Sequence, residues 1–182
     1  MLKRFIIICV LLFSVVVSAQ QGSVSPYSYF GIGTLKFKGT VENRAMGGIG
    51  VYSDSIHLNI QNPAGVAGLR LVNYSLAGSH KFSTLATDTE KQNATTTTLD
   101  YLAMGIPMGK FGASFGLIPY TSSGYKLQSE NEVAVTQYSG TGGLNKIFLT
   151  VAYQINKNFS IGIDGNYNFG NIENTAESFQ DG

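Results

Sequence analysis

Two histidines, His57 and His80, are the only imidazoles in the chain, and they stand 23 positions apart. Neither has a cysteine or a paired carboxylate at metal-ligand spacing, so both read as polar loop or lumen positions rather than ligands. Gly31-Ile32-Gly33 and Gly47-Gly48-Ile49-Gly50 have the glycine density of a phosphate-cradling loop. Neither follows a buried strand and opens a helix, and no Gly-Lys-Ser/Thr accompanies them, so tight turns account for both. No catalytic set emerges; the chain is read as a non-enzyme, with no cofactor and no metal. Two carboxylates, Asp100 and Asp164, remain in strand-like sequence. On strict alternation Asp164 shares a polar face and points into a lumen, whereas Asp100 interrupts an apolar face, at a depth-dependent cost if that face meets lipid.

The elements that would carry these residues begin with an export signal. Met1-Leu2-Lys3-Arg4 is followed by an apolar run, Phe5 to Val17, and then Ser18-Ala19-Gln20. A positive start, a short apolar core and small residues at Val17 and Ala19 describe a secretory signal peptide, residues 1–19, cut after Ala19. The core is short for a retained membrane anchor, and Cys9 lacks the small-residue context of a lipoprotein site. Removing residues 1–19 takes Lys3, Arg4 and the only cysteine, leaving 10 basic and 11 acidic side chains and a net charge of −1. That balance points away from nucleic acid, and it leaves no thiol for a disulfide or a nucleophile. Only 13% of residues are charged, against 22 Gly, 10 Tyr and 11 Phe. An exported chain of this kind suggests a β-barrel in the outer membrane of a diderm bacterium.

Periodicity supports that class. Ile147, Leu149, Val151, Tyr153 and Ile155 alternate with Phe148, Thr150, Ala152 and Gln154; after Asn156-Lys157-Asn158, residues Phe159, Ile161, Ile163, Tyr167 and Phe169 alternate with Ser160, Asp164, Asn166 and Asn168. Such a hairpin has one greasy and one polar face, and its strands match the 9–11 residues that a tilted strand needs to cross a hydrocarbon layer. Further strands are expected at about 70–82, 96–107 and 111–120. Long polar loops are expected at 83–95 and 121–144, with tight turns at 108–110 and 156–158. A secreted β-sandwich alternates in the same way, but its strands are typically about 5–6 residues. The fold class expected is therefore all-β, an antiparallel transmembrane β-barrel that is incomplete here at about five strands. Five strands cannot close a membrane barrel, and Glu173–Gly182 reads as the start of another long loop, so the chain is expected to be the N-terminal part of a longer protein.

Residues 20–68 lack sustained alternation. Within them, Asn62-Pro63-Ala64-Gly65-Val66-Ala67-Gly68 carries helix punctuation: Asn62 as N-cap, Pro63 at the first position and Gly68 at the end. Together with Gly47-Gly48-Ile49-Gly50-Val51-Tyr52-Ser53-Asp54 upstream, and with a strand following, it resembles the N-terminal region of the outer-membrane long-chain fatty-acid transporter family (FadL/TodX-like). The likeness covers residues 44–69, and Ser25–Leu35 also resembles an opening found in such proteins. It departs at Val66, where Leu is usual, and at His57 in the spacer.

The resemblance implies a lumenal plug or hatch over residues 20–68, with Asn62, Pro63, Ala64 and Gly65 as its signature, and the first barrel strands over 69–182. It implies binding or transport of hydrophobic small molecules such as long-chain fatty acids, with outer-membrane lipid and a hydrophobic ligand as partners. The alternative is a non-transporting FadL-like barrel that acts as a partner or shuttle in protein secretion, contacting a secreted or periplasmic protein. The resemblance does not fix the substrate.

Overall fold

A computed structural model describes residues 23–86, 91–131 and 134–180. The expected signal peptide lies outside them. An N-terminal segment comes first: a 3-10 turn Pro26–Tyr29, a two-residue strand β1 (Thr34–Leu35), a short helix α1 (Val41–Ala45) and a 3-10 helix Pro63–Gly68. Six longer strands follow: β2 (Asn73–Ala86), β3 (Lys91–Met108), β4 (Phe111–Pro119), β5 (Thr121–Asn131), β6 (Ala134–Gln154) and β7 (Ser160–Gln180).

All pairings are antiparallel, and β4 and β5 act as one strand bent at Tyr120. β4 pairs with the second half of β6, from Phe111↔Tyr153 to Pro119↔Asn145, and β5 pairs with its first half, from Ser123↔Gly142 to Asn131↔Ala134. The result is a meander of five long strands, β2, β3, β4–β5, β6 and β7, curled like half a barrel. The tight turns fall where expected: Gly109 takes a positive φ of 70° beside Lys110, and Ile155 and Asn156 donate to the Phe159 carbonyl across 156–158.

The described residues of the two expected long loops are instead strand. Residues 91–95 and 121–131 extend β3 and β5, and β6 and β7 pair without interruption from Ala134↔Gln180 to Gln154↔Ser160. Glu173–Gln180, read from sequence as the opening of a loop, belongs to β7. Lys91-Gln92-Asn93-Ala94-Thr95 shows no apolar alternation, yet it pairs in register with β2 from Ala86↔Lys91 to Phe82↔Thr95. At about 3.3 Å per residue, a 21-residue strand such as β6 spans roughly 70 Å, over twice a bilayer's hydrocarbon thickness. The polar halves therefore project well past any apolar band.

Alternation sorts the side chains as the sequence implies. Tyr74, Leu76, Leu102, Phe111, Phe115, Ile147, Leu149, Val151, Ile161, Ile163 and Tyr167 are exposed on the convex face. The concave face holds Tyr101, Ala103, Ser114, Ile118, Phe148, Thr150 and Ala152, all buried. Asp100 departs from simple alternation. The register runs Ala77↔Tyr101 and then Gly78↔Leu99, so Asp100 is the extra residue of a β-bulge. A bulge re-aims a side chain, and here Asp100 and Tyr101 both face the concave side. The expected break in the apolar face does not occur.

Two aromatic rings on the concave face cover glycines on the neighbouring strand. A Cβ at Gly116 would lie 2.7 Å from Phe148 Cε1, and one at Gly140 would strike the Tyr125 ring. The pairs are in register, Gly116↔Phe148 and Tyr125↔Gly140. Truncating the buried ring in Phe148→Ala is expected to destabilise the fold by about 3–5 kcal/mol, measured as a lower urea midpoint in detergent. An unchanged midpoint would show that the ring is not packed as described.

Candidate functional site

The candidate site is the contact between the N-terminal segment and the concave face. At its centre, the 3-10 helix Pro63–Gly68 lies on a row of small residues running across the wall. Register aligns Pro107, Gly112, Ala152 and Gly162 on four successive strands. A Cβ at Gly162 would sit 2.6 Å from Ala64 N, and one at Gly112 would collide with the Val66 carbonyl. Backbone thus meets backbone, which the missing Cβ atoms at Gly112 and Gly162 allow. Val66, Ala67, Leu69 and Leu58 are each at most 2% exposed. At about 1.5–3 kcal/mol per buried large aliphatic side chain, this packing outweighs the segment's exposed ion pairs, each worth about 0–1 kcal/mol.

The four signature residues are placed as follows. Pro63 and Ala64 rest their backbone on Gly162, and Gly65 is buried where a Cβ would fall 2.8 Å from Ser53 Cβ. Asn62 makes no side-chain cap; its carbonyl accepts from Gly65 N at 3.0 Å. The side chain that organises the entry is Asn59. Its Nδ2 donates to the carbonyls of Gly50 and Tyr52 (2.7 and 2.6 Å), and its Oδ1 accepts from the backbone N–H of Gln61 and Asn62 (2.9 and 3.1 Å). Sequence reasoning missed Asn59; a polar residue between Leu58 and Ile60, both buried, was the available signal. The exit is held by Arg70, whose Nη1 donates to the Ala67 and Leu69 carbonyls, with Nη2 3.4 Å from Gln154 Oε1.

The remaining contacts are polar and join the segment to specific strands. Ser28 Oγ accepts from Gly124 N (3.1 Å), while Ser123 Oγ donates to the Ser28 carbonyl (3.1 Å). β1 pairs with β5 at Thr34↔Ser122 and Leu35↔Thr121, and Lys36 N donates to the Tyr120 carbonyl. Gly33 makes this approach possible: its φ is +86°, and a Cβ would lie 2.6 Å from the Ser122 carbonyl oxygen. Thr40 and Asn43 form a capping box on α1, and the Val41 N–H donates to Tyr101 Oη at 3.0 Å.

Charged residues reach the wall at the two strand carboxylates. Arg44 Nη1 lies 3.2 Å from Asp100 Oδ2 and its guanidinium sits over the Phe37 ring; Ser79 Oγ donates to Asp100 Oδ1 at 2.7 Å. Asp164, on the concave face as expected, accepts from Thr150 Oγ1 (2.8 Å) and Asn166 Nδ2 (3.0 Å), with Lys38 Nζ at 3.7 Å. Lys36 Nζ approaches Thr98 Oγ1 at 3.4 Å. Burial holds the Lys36 ammonium below its usual range, and Lys81 and Arg44 push the same way against Asp100.

The histidines are not brought together. His80 Nδ1 is 2.7 Å from Thr97 Oγ1 on the paired strand. His57 belongs to a turn closed by Asp54, whose Oδ1 accepts from the Ile56 and His57 N–H groups and whose Oδ2 is 2.7 Å from His57 Nδ1. Hydrogen bonds to the carboxylate lower the Asp54 pKa, and the Asp54 side chain raises that of His57. One catalytic spacing does occur: Gly112-Ala113-Ser114-Phe115-Gly116 fits Gly-x-Ser-x-Gly. It lies within β4 rather than at a strand-to-helix turn, and Ser114 Oγ is buried without a hydrogen-bond partner, so nothing there activates a nucleophile.

A family model described as BamG matches residues 1–182, the whole chain. BamG is a family of the BAM-complex accessory type, associated with the outer membrane of diderm bacteria. No curated protein and no solved structure matches the chain. The BamG match overturns the expected place in the FadL/TodX-like family, and with it the transport of fatty acids or other hydrophobic small molecules. The likeness over residues 44–69 rested on a short glycine-rich stretch and Asn-Pro-Ala-Gly, and backbone packing on a wall demands such small residues whatever the wall serves.

Two predictions follow from this geometry. Gly162→Val should disfavour the seated 3-10 helix by about 1–3 kcal/mol and speed trypsin cleavage after Arg70 roughly fivefold or more. Gly165→Val serves as control, because a Cβ there meets nothing closer than 3.7 Å; equal cleavage of the two would refute the close approach. Folded His57 should titrate above its ordinary 6.5, and Asp54→Asn should return it towards that value by proton NMR. The stabilisation of charged His57 is complete below 6.5 and fades as pH rises through the raised pKa; that of Asp54 is lost as pH falls through its depressed one.

Proposed function

We propose that the chain, which belongs to the BamG family, serves outer-membrane protein assembly as a non-transporting accessory that works by contacting another protein. The whole-chain BamG match carries this reading. It is closer to the alternative drawn from sequence, a barrel acting as partner to other proteins, than to any transporter. The partner is a component of the BAM complex, and the chain performs no chemistry of its own.

In this reading β2 to β7 are wall strands that cross the outer membrane, with their apolar convex face against lipid. Residues 20–68 are the plug and 69–182 the wall. Asn62, Pro63, Ala64 and Gly65 form the part of the plug seated against the glycine strip. Support comes from the exposure of Leu149, Val151, Ile161 and Ile163, which would be costly in water and is favourable in lipid. The polar strand halves, which run past the apolar band, are the surface available to a protein partner.

Affinity-tagged protein purified in mild detergent, in its full-length form, should retain the core barrel subunit of the assembly machinery at near-equal stoichiometry. Recovery of the protein without any BAM component, under conditions that preserve the rest of that complex, would contradict the proposal.

A further inference from the structure

The long strands are not paired along their whole length. β3 pairs with β2 from Lys91 to Gly105, but with β4 only from Leu102 to Met108. The chain bends at Tyr120, and β5 then runs against β6 and β1 instead of against β3. Lys91–Leu99 is therefore an edge within the wall: one side is bonded to β2, and the other meets no strand among the described residues. Nor does any hydrogen bond from a turn, loop or side chain among the described residues reach its backbone. Open space lies beside it, a cavity of about 370 Å³ lined by Thr97, Thr98 and Leu99 on β3 and by Pro119 and Thr121 at the bend.

Every second residue of such an edge presents an N–H and a C=O outward, and the ligand that matches this spacing is an extended polypeptide. The fold already uses this mode once, where β1 adds itself antiparallel to β5. Edges that must stay unpaired are commonly guarded by Pro, by bulges or by several charges. Lys91–Leu99 contains no Pro and ends before the Asp100 bulge, and its four successive threonines favour pairing. Its one charge, Lys91 at the tip, has no ion pair among the described residues.

The edge lies beyond the apolar band. Register carries Leu102 through Leu117 and Ile147 to Tyr167, whose ring stacks on Phe169 at that end of the band. Thr95 is further out, and its β2 partner Phe82 is 78% exposed, with its ring edge-on to His80. An aromatic side chain placed outside both the core and the lipid band suits the centre of a protein contact.

We propose that Lys91–Leu99 is a docking edge that takes an extended segment of the assembly-machinery partner as an added strand, antiparallel to β3. The segment occupies the place that β4 would fill if it ran on straight. It carries a carboxylate opposite Lys91 and an apolar side chain opposite Thr95, on the Phe82 face. This inference rests on the assembly reading and names where and how that contact is made.

Tagged full-length protein is purified in mild detergent with and without the core barrel subunit of the BAM complex, and amide hydrogen exchange is followed by mass spectrometry. On complex formation the peptide spanning Lys91–Leu99 should lose about four exchanging amides, because alternate ones face the edge. The peptide spanning Phe111–Leu117, already paired on both sides, should not change. Proline removes a ladder donor and is tolerated where that donor faces outward. Of Thr95→Pro and Thr96→Pro, the variant whose lost N–H faces away from β2 should stay trypsin-resistant and retain the subunit at least fivefold less.

Unchanged exchange of Lys91–Leu99 within an intact complex, or full retention by both proline variants, overturns the inference and leaves the assembly reading standing. Protection that appears in the protein alone as its concentration rises assigns the edge to a second copy and also overturns it. Absence of the subunit from the unmodified protein's eluate overturns the assembly reading, and this inference with it.

Discussion

Backbone-to-backbone contact between the Pro63–Gly68 helix and the strip Gly112–Ala152–Gly162 is the constraint from which the rest of the structure follows. Because the strip has almost no side chains, the helix comes close enough to bury Val66, Ala67 and Leu69 completely. That seat fixes where the chain leaves the segment, through Leu69 and Arg70, and so fixes the start of β2. It also sets the height at which Leu58 and Leu69 meet Gly105 on β3, where a Cβ would lie 2.7 Å from Leu69 Cδ1. Any larger side chain in the strip would lift the whole segment.

With the centre anchored by apolar packing, polar contacts decide orientation. Asn59 bonds both to the Gly50 and Tyr52 carbonyls before it and to the helix entry after it. The bulge at Asp100 turns a carboxylate inward to meet Arg44, and β1 adds itself to β5 at the bend around Tyr120. These interactions are individually modest, about 1 kcal/mol for a hydrogen bond, and their geometry selects one placement among those that packing alone permits.

Much of the wall was legible from sequence because period-2 alternation is a strong signal: the inward and outward sets around Phe111–Ile118, Ile147–Gln154 and Phe159–Phe169 stand as read. Where alternation fails, so did the reading. Lys91–Thr95 and Ser122–Gln128 are strand through pairing with neighbouring strands, and they looked like loops because neither face is apolar. Asp100 was misread because a one-residue bulge cannot be seen without the partner strand. In the segment, Asn62-Pro63 marked the helix start correctly, while the organising role of Asn59 depends on the carbonyls of Gly50 and Tyr52, which only the fold brings near. The family was misjudged for a related reason: a short run of small residues records a packing requirement and says little about cargo.

The central claim is that this chain assists the assembly of other outer-membrane proteins. The most direct measurement is controlled depletion of the protein in its native host, followed by quantification of folded, heat-modifiable barrels in isolated outer membranes. The account predicts that folded barrel levels fall broadly as the protein is depleted and recover on re-expression. An unchanged outer-membrane protein profile, with only the uptake of a hydrophobic compound lost, would contradict it.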